Sequence, residues 1–161
     1  MRSVRSAGAR KHTSASGASF LQNGIEDVVF ASLKFADGRM AHIHVSWLDP
    51  HKIRKVTLVG SQKMVVFDDM EASEKIRVYD KGAEVKGVDS YAEAITLRTG
   101  DILIPKIASG EPLRTECQHF IDAIVNDTTP RSDGRDGMRV VKVLEGGSTS
   151  LARGGEAVSL T

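Results

Sequence analysis

The sequence has 161 residues, of which 22 are Lys or Arg and 21 are Asp or Glu, so its formal net charge is +1. This length suits one domain, and the near-neutral charge with 40% hydrophobic residues argues against intrinsic disorder and against a dedicated nucleic-acid binder. No apolar run approaches the roughly 20 residues of a membrane-spanning helix, and the single cysteine excludes an intrachain disulfide, so we expect a cytoplasmic protein without membrane or nucleic-acid partners.

Residues 1–24 are basic, rich in Ser and Ala, and contain no acidic residue. This composition is similar to that of a transit peptide. We interpret the segment instead as a first strand near residues 3–7 followed by a flexible Ser/Gly loop. Residues 25–161 then form the main domain.

From residue 25 to residue 79 the apolar residues recur with period two, which is typical of strands with one buried face. Residues 27–35 and 39–48 predict a hairpin around the turn at Gly38. In its second strand Trp47 falls on the apolar face, which favours a packing role, whereas His42 and His44 fall on the other face.

Further strands are predicted at residues 52–60, 63–67 and 75–79, with Asp80-Lys81-Gly82 as a turn after the last of them. Residues 91–97 and 101–105 give weaker strand signals. A last short strand, at the edge of the sheet, is predicted at residues 156–160.

Period 3.6 replaces period two near residue 111 and predicts helices over residues 111–126 and 133–152. Cys117 lies on the apolar stripe of the first helix, so we interpret it as a buried small hydrophobe. Gly146-Gly147 interrupts the second helix and indicates a weak or closely packed position.

This order of elements predicts an α+β fold, with a large, mostly antiparallel, open-faced sheet and two C-terminal helices packed on one face. Two helices cannot cover both faces of such a sheet. We therefore expect a homo-oligomer that forms through the open face.

Two side-chain groups are candidates for chemistry. His42, His44 and His51, with Asp49, Asp68 and Asp69, could form a metal site, although a polar sheet face gives the same pattern. In a strand, Lys52 and Arg54 would fall on one side and Lys55 on the other. The first two could therefore meet a phosphate or carboxylate together, or could belong to a solvated edge strand.

Two motifs carry less weight. Gly134-Arg135-Asp136-Gly137 matches the Gly-x-x-Gly loop of KH modules, but capping of the second helix by Ser132 or Asp133 explains it better. Although 15 glycines are present, no two are separated by one residue, so the dinucleotide-binding Gly-x-Gly is missing and we expect no NAD binding by this chain alone.

Several stretches together resemble the C-terminal domain of the Gfo/Idh/MocA oxidoreductases. They are GIEDVVFA at residues 24–31, HVSWLDPHKIRKVTLVGSQKMVVFDD at 44–69, EPLRTECQHFIDAIVNDTTPRSDGRDGMRVVKVLEGGSTSL at 111–151 and GGEAV at 154–158. The run WLDPHKIR at 47–54 is similar to the branch that acts on nucleotide-linked sugars, such as UDP-N-acetylglucosamine 3-dehydrogenases.

The resemblance implies an enzyme with an N-terminal Rossmann domain for NAD or NADP and this sheet domain for the sugar pocket and oligomer contacts. The family's glycine-rich loop, its Glu-Lys-Pro segment with the catalytic lysine and its Asp/His-bearing helix have no counterpart in the sequence. We therefore carry over no catalytic or cofactor-binding residue and expect a chain that is inactive without a Rossmann-domain partner.

We accordingly interpret the chain as the substrate-binding and oligomerisation domain of an NAD(P)-dependent sugar or nucleotide-sugar oxidoreductase. His44, Lys52 and Arg54 are predicted to contact the sugar or its phosphates, with Trp47 as packing support. A non-enzymatic dimerising module and a metal-dependent hydrolase using the histidines remain as alternatives.

Overall fold

The computed structural model describes residues 10–85, 95–108 and 110–160. In chain order the elements are β1 (Arg10–Ala18), β2 (Val28–Phe35), β3 (Met40–Ser46), β4 (Lys55–Val59), β5 (Met64–Asp68), β6 (Ile76–Val85), β7 (Ile95–Leu103), α1 (Pro112–Val125), α2 (Gly134–Ala152) and β8 (Val158–Ser159). The α+β class and the two C-terminal helices are confirmed. The strands, however, are distributed over two antiparallel sheets of four strands each.

Sheet 1 has the strand order β3-β2-β1-β8. The predicted β2–β3 hairpin is confirmed, and its turn places Gly38 at φ 85°, a left-handed conformation that favours glycine. The edge position predicted for the last strand is also confirmed, because β8 pairs with β1 alone among the described strands.

Helix α2 packs on one face of sheet 1, against β1 and β8. Thr13 and Ala15 of β1 are buried beneath it, and Ser150 of the helix is fully buried. A Cβ atom built on Gly146 would lie 2.8 Å from Thr13 Cγ2 and would also clash with Leu160. The glycine predicted to mark a closely packed position therefore lets the helix backbone approach β1.

Strand β1 corrects the prediction of a flexible Ser/Gly loop, since Arg10–Ala18 is extended and pairs with β2 along its length. Ser, Ala and Gly have weak strand propensity, so the pattern gave no strand signal. Their small size is what the close approach of α2 requires. The strand predicted at residues 3–7 lies outside the described residues.

Sheet 2 has the strand order β4-β5-β6-β7. The turn predicted at Asp80-Lys81-Gly82 is wrong, because β6 continues to Val85 through an irregularity between Tyr79 and Lys81. The weak signals at residues 91–97 and 101–105 correspond in the described part to one strand, β7, and residues 91–94 lie outside that part.

The chain divides into two compact units, which we describe separately. Unit 1 comprises residues 1–49 and 113–161 and contains sheet 1 with both helices; unit 2 comprises residues 50–112 and contains sheet 2. Within the described residues, neither helix is long and apolar enough to cross a membrane.

Candidate functional site

The face of sheet 1 opposite α2 carries a stack of aromatic rings. Phe30 of β2 lies directly across from His44 of β3, with ring centroids 4.4 Å apart and planes 9° apart. The Phe30 and His42 rings are 6.4 Å apart. The prediction that His42 and His44 share a face is therefore consistent with the structure, which adds Phe30 as their neighbour.

Sequence reasoning did not single out Phe30. The turn at Gly38 fixes the register of the hairpin, and that register places Phe30 opposite His44. The signal was thus present in the spacing from the turn. By the same register, these rings share their side of sheet 1 with His12, Ser14, Ser16, Ser32, Lys34 and Met40, and we call these nine residues together the histidine face.

Lys52 and Arg54 lie in unit 2, whereas His44 lies in unit 1. Strand β4 begins at Lys55, so Lys52 and Arg54 precede it, and the argument from strand alternation that grouped them does not apply. Both residues are exposed. The Arg54 guanidinium lies 3.7 Å from the Asp69 carboxylate, and the Arg54 carbonyl accepts a hydrogen bond from the Asp69 N–H.

The neighbouring carboxylates of Asp68 and Asp69 form ion pairs with basic side chains at the start of sheet 2. A hydrogen bond from Lys55, with Nζ 3.0 Å from Asp68 Oδ2, lowers the pKa of Asp68 below its ordinary 3.8. Lys75 lowers the pKa of Asp69 in the same way, and Arg54 contributes to that shift. Both carboxylates therefore favour the charged form. Because the Asp69 carboxylate offsets part of the positive charge of Arg54, Lys52 is the more available of the two cations for a phosphate.

The proposed three-histidine metal site gains no support. His42 and His44 belong to unit 1 and His51 to unit 2. In the described part of the chain, no group of three or more His, Cys, Asp or Glu side chains could hold a metal ion.

Helix α1 exposes most of its apolar stripe, and this corrects one prediction. Cys117 is exposed rather than buried. It lines a groove of about 510 Å³, and His119, which accepts a hydrogen bond from the Arg131 N–H at its Nε2, lines the same groove. The other lining residues are Leu113, Glu116, Phe120, Ile121, Pro130 and Ser132.

Trp47 corrects a further prediction, because its side chain is not packed in the core but is 84% exposed. Its position on the apolar face of β3 was inferred from alternation. Helix α2, however, packs on β1 and β8, which lie towards the opposite edge of sheet 1 from β3, so it does not cover Trp47.

The Gly-x-x-Gly segment lies in the first turn of α2. Asp133 is the N-cap, and its Oδ1 accepts a hydrogen bond from the Asp136 N–H at 2.8 Å. The capping explanation is confirmed for Asp133.

The C-terminal α/β domain of the GFO/IDH/MocA oxidoreductases matches this sequence over residues 2–160. The chain belongs to the Gfo/Idh/MocA family. None of the curated proteins compared with the sequence matches it significantly. The match extends the resemblance seen in the sequence to nearly every residue.

Solved structures share the fold of this Gfo/Idh/MocA domain. UDP-N-acetylglucosamine 3-dehydrogenase GnnA from Acidithiobacillus ferrooxidans is 16% identical with a TM-score of 0.70, and the match covers 91% of this chain and 44% of that one. Levoglucosan dehydrogenase in complex with NADH and levoglucosan is 14% identical with a TM-score of 0.68, and the match covers 94% of this chain and 45% of that one. The WlbA dehydrogenase from Bordetella pertussis, in complex with NADH and UDP-GlcNAcA, is 20% identical with a TM-score of 0.62, and the match covers 96% of this chain and 40% of that one. The chain thus spans less than half the length of these relatives.

The residues present do not fit a nicotinamide dinucleotide. Every strand pair in both sheets of the described part is antiparallel, whereas a dinucleotide-binding unit needs parallel strands joined by a helix. The sequence also contains no Gly-x-Gly. NAD(P) chemistry in this family therefore requires residues other than these.

Proposed function

We propose that the chain is the substrate-binding and oligomerisation domain of an NAD(P)-dependent sugar or nucleotide-sugar oxidoreductase. The observation that carries this proposal is the family match over residues 2–160, together with dehydrogenase neighbours that are more than twice as long. Cofactor and catalytic lysine would come from a Rossmann domain that these residues do not contain. The chain is inactive without that domain, and we place it in the cytoplasm.

The part of this chain in the reaction is to bind and orient the substrate. In a sugar dehydrogenase a hydride leaves a hydroxyl-bearing carbon, so the sugar must be held in one orientation. His44 can donate to or accept from sugar hydroxyls, and its ring is fixed against Phe30. Lys52 and Arg54 supply positive charge suited to the phosphates of a nucleotide sugar.

The exposed stripe of α1 supports the need for a second domain. Leu113, Phe120, Ile121 and Ile124 are each more than half exposed, and they lie on one side of the helix. Leaving this much apolar surface in water costs about 25 cal/mol per Å². A cofactor domain, in the same polypeptide or a separate one, would cover it.

Self-association is supported by sheet 2. Its strand register brings together one face made of Val56, Leu58, Val65, Phe67, Ile76, Val78 and Leu103, which we call the apolar face of sheet 2. Four of these residues, Val56, Leu58, Phe67 and Leu103, are exposed. The same face would serve a non-enzymatic dimerising module, so binding of a sugar nucleotide is what separates the two functions.

Isothermal titration calorimetry with UDP-N-acetylglucosamine tests the proposed function. The proposal predicts binding that weakens with added salt, and a loss of about tenfold in affinity in Lys52→Ala, equivalent to roughly 1.4 kcal/mol. Lys63→Ala, which removes an exposed lysine of the same unit, should leave the affinity unchanged. Absence of binding while the chain still self-associates would favour the dimerising module instead.

A further inference from the structure

The end of β1, the start of β2 and the end of β3 lie side by side at one end of sheet 1. Ala18 of β1 pairs with Val28 of β2, and Val28 pairs with Ser46 of β3. Residues 19–27, which connect β1 to β2, and residues 47–48, which follow β3, therefore start side by side. The structure places five exposed apolar side chains in these two segments, namely Phe20, Leu21, Ile25, Trp47 and Leu48.

Asp27 is the residue that holds this end together. It is buried, and its carboxylate Oδ2 accepts hydrogen bonds from the N–H groups of Phe20 at 2.5 Å and Leu21 at 2.7 Å. Its own N–H donates to the Ala18 carbonyl at 2.9 Å, and its carbonyl accepts from the Trp47 N–H at 2.8 Å. We call Asp27 with the five apolar residues the Asp27 corner.

This arrangement fixes the backbone beneath side chains that are left in water. Phe20 is 71% and Trp47 84% exposed. A carboxylate buried to hold two backbone N–H groups keeps the loop in one conformation, because releasing it would leave a buried charge without partners. The two aromatic side chains are thus presented from a preorganised backbone, which lowers the entropic cost of binding a ligand.

The chemistry of the corner suits a neutral ring. Residues 19–27 read SFLQNGIED, with Glu26 exposed and Asp27 buried, and residues 47–48 are Trp and Leu, so neither segment carries a basic side chain. Phenyl and indole faces pack against the C–H face of a pyranose, and the amides of Gln22 and Asn23 can hydrogen-bond its hydroxyl or acetamido groups. A phosphate would find no cation in these segments.

We propose that the Asp27 corner binds the neutral sugar ring of the substrate, with Trp47 and Phe20 as its packing surface. This inference rests on the proposed function and adds a location for the sugar. A second copy of the chain would be the other natural occupant of an apolar patch, and the test separates the two.

Trp47 is the single tryptophan of the chain, so tryptophan emission, excited selectively over the two tyrosines, reports on the corner alone. Titration with N-acetylglucosamine and with UDP-N-acetylglucosamine should shift the Trp47 emission to shorter wavelength, whereas UMP should leave it unchanged. By calorimetry, Phe20→Ala should weaken UDP-N-acetylglucosamine binding by about tenfold, while Val140→Ala, which truncates an exposed residue of α2, should not.

The outcomes that overturn the inference differ from those that overturn the proposed function. Calorimetric binding of UDP-N-acetylglucosamine with unchanged Trp47 emission would place the sugar elsewhere. An equal shift with UMP would assign the corner to the base, and a shift caused by protein concentration alone would assign it to a second copy. Failure of any sugar nucleotide to bind would contradict the proposed function itself.

Discussion

The side chain of Ser150 in α2 supplies a hydrogen-bond partner to β1 beyond the end of its pairing with β8. Strand β8 pairs with β1 at His12 and Thr13, and beyond it the Ala15 N–H donates to Ser150 Oγ at 2.9 Å. The same hydroxyl donates to the Glu156 carbonyl at 2.6 Å. One buried side chain therefore satisfies two backbone groups and ties the helix to the strand.

Ser150→Ala should lower the free energy of unfolding by about 1–3 kcal/mol, because it leaves a buried N–H and a carbonyl without partners. Urea denaturation followed by circular dichroism measures the change. Thr149→Ala is the matched control, since its hydroxyl is exposed and bonds to Glu145 of its own helix. Equal losses in the two variants would contradict the role assigned to Ser150.

Gly146 and Gly147 offer a second matched pair. A Cβ on Gly146 would clash with the buried Thr13 and with Leu160, whereas a Cβ on Gly147 would meet nothing within 4 Å. Gly147→Ala should raise the free energy of unfolding by about 0.5–1 kcal/mol through helix propensity. Gly146→Ala should lower it by about 1–3 kcal/mol through overpacking. Thermal unfolding of both variants checks that the two changes in the free energy of unfolding have opposite signs. If both substitutions stabilised the protein, Gly146 would not be closely packed.

Single positions also show what the sequence could predict. The apolar stripe of α1 and the apolar alternation of β3 were predicted from period and spacing. Burial of Cys117 and Trp47 was inferred from those patterns and is wrong. A pattern indicates which side of an element is apolar, but whether another element covers that side depends on tertiary packing, which local periodicity does not contain.

At the scale of elements, ion pairs join β4 and β5 and the loop after them. Lys55 pairs with Asp68, and Lys75 and Arg54 pair with Asp69. The pKa of each carboxyl is lowered in the folded chain. Because the folded-state pKa lies below the unfolded one, this stabilisation is present above the unfolded value, near 3.8, and is lost as the pH falls through the folded value.

We therefore expect the unfolding midpoint in urea to fall as the pH is lowered from neutral to below about 4. Lys55→Met should reduce that fall, because the pKa of Asp68 then returns towards its ordinary value. Lys63→Met removes the same charge near the β4–β5 turn and should retain the wild-type pH dependence. Identical pH profiles for the two variants would contradict the assignment to Lys55.

Element prediction succeeded where the local signal was strong. The β2–β3 hairpin and both helices follow from a glycine turn and from long periodic runs. It failed at β1, whose small residues have little strand propensity, and at Gly82. A Cβ on Gly82 would lie 2.8 Å from the Ser61 carbonyl oxygen, so this glycine serves close packing within unit 2 rather than a turn.

At the scale of the whole molecule, the prediction of one open sheet is replaced by two sheets with different exposed faces. The histidine face of sheet 1 is polar, with several serines, whereas the apolar face of sheet 2 consists of aliphatic residues and Phe67. Alternation predicted the two sides of each strand. It could not predict that the described strands separate into two sheets between β3 and β4, because alternation does not show whether consecutive strands pair with each other.

Self-association is expected to use the apolar face of sheet 2. Leu58→Asp should shift the protein towards monomer in sedimentation equilibrium, because an aspartate on this face must be desolvated for copies to meet. Thr57→Asp, on the same strand with its side chain on the opposite face, should leave the association constant close to wild type. A monomeric wild-type chain at every concentration would remove the oligomerisation role.

We propose that this chain holds the sugar substrate of an oxidoreductase but not its cofactor. Saturation-transfer difference NMR on the full chain, with UDP-N-acetylglucosamine and NADH present together in one sample, tests it most directly. We predict saturation of the N-acetylglucosamine protons and none of the nicotinamide protons. Saturation of the nicotinamide protons, or of neither ligand, would contradict the account.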